Sequence, residues 1–332
     1  METSSLYPLK FKPAFKEKIW GGKKFASFFK QKLDPNKKYG ESWQISDIED
    51  DISIIENGFL EENSLVDIIE LYMGDLVGDH IYNRFGLAFP LLFKFIDASD
   101  KLSLQVHPNS ELAYQRYQQL GKTELWYIID AKPNAGLYIG FKKDTSQEEF
   151  LNALKQGNLE EMIQFHPVKK GDAFFIPAGT VHAIGEGILL AEIQEASDIT
   201  YRIFDWNRKD ENGLERELHI EEALEAINYK QGRGYKMDFE DEPNSSVPIV
   251  KSEFFNISKL LLDSPIHKSY IQIDSFVVYM CTEGEVHFFT EQDHEFITAG
   301  ESILIPAVIT DVDIVPNGKS ELLEVYISHK PE

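Results

Sequence analysis

Gly171-Asp-Ala-Phe-Phe-Ile-Pro177-Ala-Gly179-Thr-Val-His182 is the stretch from which the rest of the chain can be read. Two glycines and a proline punctuate a short apolar run, and a histidine closes it. Glycine permits tight turns and proline fixes the backbone that enters the next strand, so the histidine is presented at a defined place on a β-unit. The pattern returns as Gly300-Glu-Ser-Ile-Leu-Ile-Pro306-Ala-Val308-Ile-Thr-Asp311. Gly, Pro and Ala keep their places, but Val308 stands where the first copy has Gly179, and Asp311 where it has His182. The two read as one duplicated β-unit whose later copy has lost its ligand.

Upstream, Leu102-Ser-Leu-Gln-Val-His107 alternates strictly. Successive side chains of a strand point to opposite faces, so Leu102, Leu104 and Val106 share one face and Ser103, Gln105 and His107 the other. Glu124 opens the next strand, ELWYII (124–129). The G-x5-P-x-G-x2-H spacing of 171–182 is that of the second motif of the cupin barrel. Its partner motif supplies two ligands alternating on one strand and a carboxylate on the next, places filled by Gln105, His107 and Glu124. Two imidazoles, one carboxylate and one amide oxygen suit a borderline divalent metal with room for water or substrate. Zinc, one ion per chain, is the expectation, although this ligand set by itself also accepts iron, manganese or cobalt. A lone histidine in a strand is usually structural. His182 differs by standing inside a matched motif, and Gln105 and His107 by forming the polar face of an otherwise apolar strand. His80, His166, His219, His267, His287, His294 and His329 have no such setting and are expected to be structural or solvent-exposed.

The remaining sequence fits a mainly β protein. FPLLFKFID (89–97) is nearly all apolar, as in a buried strand, and GLYIGF (136–141), Ala173–Pro177, Gly187–Gln194 and Thr200–Phe204 read as strands. Helices are expected from Ser64 to about Leu71, in ELAYQRYQQL (111–120), from about Ser146 to Phe165, and in RELHIEEALEAI (216–227). The charged segment YKQGRGYKMDFEDEPNSSVP (229–248) reads as a surface connection, followed by short strands alone. The expected architecture is two cupin-like jelly-roll β-barrels, with a few helices inserted in and around the first. Residues 1–235 would form the metal-binding catalytic domain and 236–332 a degenerate domain without a metal site.

The 332 residues carry 56 Asp+Glu against 33 Lys+Arg, a net charge of −23. A field of that sign repels nucleic acid and anionic membrane, so any anionic substrate needs a local cationic pocket. Cys281 is the single cysteine, which excludes an internal disulfide, fits a reducing compartment and, in its apolar run, reads as a buried inert thiol. METSSLYPLKFKPAFKEKIW lacks a continuous apolar core, and no later stretch approaches a membrane span. A soluble cytoplasmic protein, monomer or homodimer, is expected.

Beyond the barrel motifs, the chain resembles the type I mannose-6-phosphate isomerases in their short bacterial form. The resemblance rests on Ile19-Trp20-Gly21-Gly22, Gly40-Glu41-Ser42-Trp43, the run from Leu102 to Pro108, Lys122-Thr123-Glu124-Leu125-Trp126-Tyr127, the run from Ile176 to Ala183, and Arg202 followed by Phe204-Asp205-Trp206. It spans most of residues 7–220. It implies interconversion of mannose 6-phosphate and fructose 6-phosphate, with zinc held by Gln105, His107, Glu124 and His182. It also implies that Lys122 and Arg202 are catalytic and substrate-binding, and that Glu192 matches a base. Where the family usually has Lys-Pro-Glu, this chain has Lys122-Thr123-Glu124.

Exchanging an aldose for a ketose moves a proton between C2 and C1 through an enediol. That chemistry needs a base, stabilisation of charge on the two oxygens and an anchor for the phosphate. Ser103 shares the face of Gln105 and could touch the phosphate. Lys94 points either into the site or into an ion pair, and Trp20, Trp43 and Trp126 read as core or pocket wall. The alternatives are an isomerase of another hexose phosphate on the same barrel and a non-catalytic sugar-phosphate-binding protein. A dioxygenase, which favours two or three histidines around iron, suits this ligand set less well.

Overall fold

The structure is a computed structural model that describes residues 6–30, 32–209 and 212–328, so His329 lies outside the described residues. Its strands form four sheets. Sheet I orders its strands as Ala14–Gly22, Tyr39–Ile45, Leu91–Ala98, Ile188–Glu195, Glu124–Ala131 and Ala173–Ile176. Sheet II runs Tyr201–Phe204, Leu104–Val106, His182–Ile184, Gly136–Phe141 and Ile163–Pro167. Sheet III runs Leu9–Lys10, Ser302–Ile305, Val277–Glu283, Ser320–Tyr326, Asn256–Leu262 and Ser246–Lys251. Sheet IV runs Ile266–Ser269, Asp311–Pro316, Glu285–Phe289 and His294–Thr298.

Alternation along the strands explains how these sheets stack. Every residue of Leu91–Ala98 is buried, because both faces of sheet I are covered. Phe93, Phe95, Tyr127 and Ala191 pack with Phe255, Val278, Met280 and Leu323 in a core between sheets I and III. The alternate residues Ile96, Trp126 and Leu190 pack with Leu137, Ile139 and Ile184 of sheet II. Leu104, Val106 and Phe141, on the far side of sheet II, meet Phe150 of the helix Gln147–Gln156 and Ala223 of the helix Ile220–Ala226. Leu260, Tyr279 and Ile303 close the last core against Phe288, Ile297 and Ile314 of sheet IV. The order of layers is therefore helices, II, I, III, IV. The protein is mainly β with few helices, built as two facing-sheet sandwiches joined back to back.

The duplication seen in the sequence extends through the pairing scheme. Ile176 lies opposite Glu124, and its counterpart Ile305 lies opposite Val277. His182 lies opposite Gln105, and its counterpart Asp311 lies opposite Ser269. Val277 thus holds the place of Glu124, and Ser269 that of Gln105.

Some elements differ from expectation. The helix expected over 146–165 spans only Gln147–Gln156: Ser146 and Glu149 form a capping box, and Gly157, at φ 73°, ends it in the left-handed conformation. A short 3-10 turn and the edge strand Ile163–Pro167 occupy the remainder. The connection 229–248 does more than cross the surface. Lys236 bridges to Phe174 and the Met237 N–H donates to the Ala173 carbonyl, so the segment lines the edge of sheet I before entering sheet III. Leu9–Lys10 lies in sheet III beside Ser302–Ile305. Cys281 is fully buried, as expected. Among the described residues, no helix is long and apolar enough to cross a membrane.

Candidate active site

Residues directly opposite each other on antiparallel strands share a face. Across sheet II this sets Arg202, Gln105 and His182 in one row. Across sheet I, Glu124 stands beside Gln194, and the next row is Trp126, Glu192, Lys94 and Trp43.

His107, Glu124 and His182 are all buried, with their ligand atoms within 4.8 Å of one another. The two imidazoles are oriented from behind. His107 Nδ1 donates to the Ile199 carbonyl at 2.9 Å and His182 Nδ1 to the Thr180 carbonyl at 2.8 Å. A carbonyl only accepts, so both protons sit on Nδ1 and both Nε2 lone pairs face the cluster, the arrangement that prepares histidine for a metal. His107 Nε2 is 2.9 Å from Glu124 Oε1, and His182 Nε2 is 4.0 Å from Glu124 Oε2. Close as the first pair is, it lacks hydrogen-bond geometry. His107 Nε2 and both Glu124 oxygens are buried without a hydrogen-bond partner. Orphaned acceptors of this kind are rare in a native interior, and a cation satisfies them.

Protonation states agree with that fit. Burial, reinforced by the Lys122 charge, pulls His107 down to about 3, and burial also lowers His182. For Glu124, burial pushes upward, but Lys122 and the two imidazoles override it and hold the carboxyl well below the usual range. Neutral imidazoles and an ionised carboxylate are the forms that bind metal. The Gln105 amide lies at the edge of the cluster, its Nε2 3.3 Å from His182 Nε2 and its Oε1 accepting from Ser103 Oγ at 3.3 Å. A half-turn of the amide exchanges the two atoms and aims the oxygen at the cluster.

The other proposed residues gather round it. Lys122 Nζ is 3.3 Å from Glu124 Oε1, and Ser103 is buried beside Gln105. Glu192 is buried, with Oε1 3.2 Å from Lys94 Nζ and Oε2 accepting from the Trp126 indole at 2.9 Å. Burial and the nearby Glu124 charge raise the Glu192 carboxyl against the pull of Lys94 and Lys122. Lys94 combines both orientations that the sequence left open: it faces the space between sheets I and II and is ion-paired there, bonded to Gln194 Oε1 at 3.0 Å and lying over the Trp43 ring. Glu41 completes the group. Burial works against its ionisation, yet Lys94, Lys18 and the Trp43 indole hold it down at about 2.

Arg202 is half-buried, with Nη1 donating to the Glu217 carbonyl at 2.7 Å and Nε buried without a hydrogen-bond partner. Burial and the nearby Arg216 and Arg208 charges lower its pKa. Asp205 binds both neighbours, accepting from Arg216 Nε at 2.7 Å and pairing with Arg208 Nη2. Two guanidinium groups bind the Asp205 carboxylate and that of Arg202 lies within electrostatic reach of all three, a local excess of positive charge in a protein of charge −23. Glu41 and Asp205 stand in the segments that carry the resemblance but without a role, and Arg208, Arg216 and Gln194 carry no signal in the sequence, since an isolated polar residue does not reveal which partners the fold brings to it.

The family described as phosphomannose isomerase type I, catalytic domain, matches residues 8–137. The chain is 35% identical over 305 residues to the mannose-6-phosphate isomerase ManA of Bacillus subtilis, covering 90% of this chain and 93% of that protein. It is 32% identical over 328 residues to the mannose-6-phosphate isomerase of Streptococcus mutans, covering 98% and 99%. The crystal structure of the mannose 6-phosphate isomerase from Bacillus subtilis superimposes with a TM-score of 0.86 at 31% identity, covering 97% of this chain and 100% of that one.

Proposed function

The chain belongs to the type I phosphomannose isomerase family and has mannose-6-phosphate isomerase activity, and we propose that it works with one zinc ion held by Gln105, His107, Glu124 and His182. The observation that carries this reading is the pair of buried histidines whose Nδ1 protons are tied to backbone carbonyls while their Nε2 atoms face a carboxylate that has no hydrogen-bond partner. When bound there, zinc supplies Lewis-acid polarisation of the substrate oxygens.

The chain's own residues do the rest. Arg202 and Lys122 neutralise the phosphate and the charge that develops on the enediol oxygens, with Ser103 donating to the phosphate. Glu192 takes the proton from C2 of open-chain mannose 6-phosphate as O1 is protonated, and returns it to C1 as the O2 hydroxyl gives up its own proton, so that the enediol collapses to fructose 6-phosphate. Its raised pKa strengthens it as a base and lets it hold the proton between the two half-steps. We assign this chemistry to residues 1–235, with 236–332 carrying no metal, in a cytoplasmic monomer or homodimer.

Coupled turnover of mannose 6-phosphate, before and after chelation, tests the reading. Activity that disappears with chelator and returns with zinc is the expected result. A folded, zinc-loaded protein that fails to turn the substrate over would sink it.

A further inference from the structure

We infer that Trp126 is a positioning residue for proton transfer, fixing the Glu192 carboxylate relative to the metal cluster; the inference rests on the reading of Glu192 as the base. Trp126 is 1% exposed, and its indole Nε1–H donates to Glu192 Oε2 at 2.9 Å. The same ring meets the His182 imidazole nearly edge-on, 5.3 Å between centroids at 76°. One stiff side chain therefore touches both the carboxylate and a proposed ligand. The second partner of Glu192 is Lys94, at 3.2 Å from Oε1. A lysine ammonium rides on a flexible four-carbon stem and acts as a point charge, whereas an indole has only two torsions and one directed donor. Lys94 thus supplies charge and Trp126 supplies direction. The indole occupies a single lone-pair site of the carboxylate and leaves others for the substrate proton. Placement matters because a displacement of roughly 1 Å at a reacting group can cost about 10²-fold in rate.

A tryptophan that merely fills volume would be replaced equally well by rings with and without a donor. The fold already accommodates tyrosine at this register: Tyr279, opposite Glu324 in the second sandwich, donates its hydroxyl to that carboxylate at 2.9 Å. Trp126→Phe and Trp126→Tyr therefore separate the donor from the bulk. Trp126→Phe is expected to lower kcat about 10- to 100-fold with KM within about twofold, metal content unchanged and a larger isotope effect for substrate deuterated at C2. Trp126→Tyr should recover several-fold of that loss. Equal kcat in the two variants, or a loss traced to KM or metal content, would overturn the inference.

Glu192→Asp reads the contact from the other side and decides the matter if neither tryptophan variant folds. It should lower kcat by a similar factor and shift the Trp126 indole N–H resonance upfield; wild-type kcat and an unmoved resonance would count against the role. Full turnover by Glu192→Gln would break the base assignment itself. An inactive Glu192→Gln beside a fully active Trp126→Phe would break this inference alone.

Discussion

Where the first sandwich sets Glu124 opposite Ile176 and Gln105 opposite His182, the second sets Val277 opposite Ile305 and Ser269 opposite Asp311. Two residues past Ser269, at the place of His107, Ile271 is 77% exposed. Yet one polar pair survives in both. Glu192 faces Trp126 across two strands, and Glu324 faces Tyr279 in the same register. Their surroundings separate them. Glu324 is saturated, accepting from Tyr270 at 2.6 Å, from Tyr279 and Lys268 at 2.9 Å, and from Ser246 at 2.8 Å. Tyr270 and Tyr279 are themselves buried in the core of the second sandwich. Among the described residues, sheet IV also has no counterpart of Tyr201–Phe204, the strand that carries Arg202. The pairing scheme is thus indifferent to chemistry: the same frame supports a polar interior with unsatisfied ligand atoms or a saturated one, depending on a few inward positions.

The sharpest way to break this contrast is to move a residue of the second copy into the first. His182→Asp is expected to lose metal, measured by elemental analysis, and turnover by on the order of 10⁴-fold. Next, the paired carboxylates should separate by kind of effect. Glu192→Gln is expected to lower kcat about 10³-fold, with a smaller stability cost than its counterpart because Lys94 keeps the Glu41 charge beside it. Glu324→Gln should leave kcat intact and lower unfolding free energy by about 3 kcal/mol in denaturant titration, because it leaves Lys268 facing a neutral amide. The pH profile follows from the same contrast. A base must be deprotonated to act and Glu192 is raised by burial, so kcat should fall with acidification while pH is still above the ordinary glutamate range. An acid limb at or below that range would show that another group limits the rate.

Arg202→Ala removes the feature that the second sandwich lacks outright. KM for mannose 6-phosphate should rise on the order of 10²-fold with zinc retained. The smallest effect is expected from Asp311→His, which restores the motif's histidine in the second copy. With Ser269, Ile271 and Val277 unchanged, no second metal should bind, and stability should move by no more than about 0.5 kcal/mol.

The duplicated motif made the two-unit β organisation legible in the sequence, because glycine and proline mark turns directly. The same motif and the alternation of residues 102–107 pointed to four positions, and the fold brings three of them, His107, Glu124 and His182, into one buried cluster. Lys94 could not be placed in advance. Both faces of Leu91–Ala98 are covered, so its apolar pattern contains no alternation from which to read direction. The Arg202 surroundings were illegible for another reason: Asp205, Arg208 and Arg216 meet through loop geometry, for which periodicity offers no rule. The helix expected over 146–165 stops short because Gly157 takes the left-handed conformation that ends it.

Leu9 pairs with Leu304 and Lys10 with Ile303, so a strand made early is seated beside one made almost 300 residues later. Sequence separation of this kind slows folding, because a nearly complete chain must be in hand before the contact can form. Until sheet III assembles, the face of sheet I carrying Phe93, Phe95 and Tyr127 is covered only in part, Phe28 and Phe29 lying against Phe95. The second sandwich therefore governs the birth of the enzyme: a chain halted near residue 235 would leave much of that apolar face exposed, a substrate for chaperones and proteases.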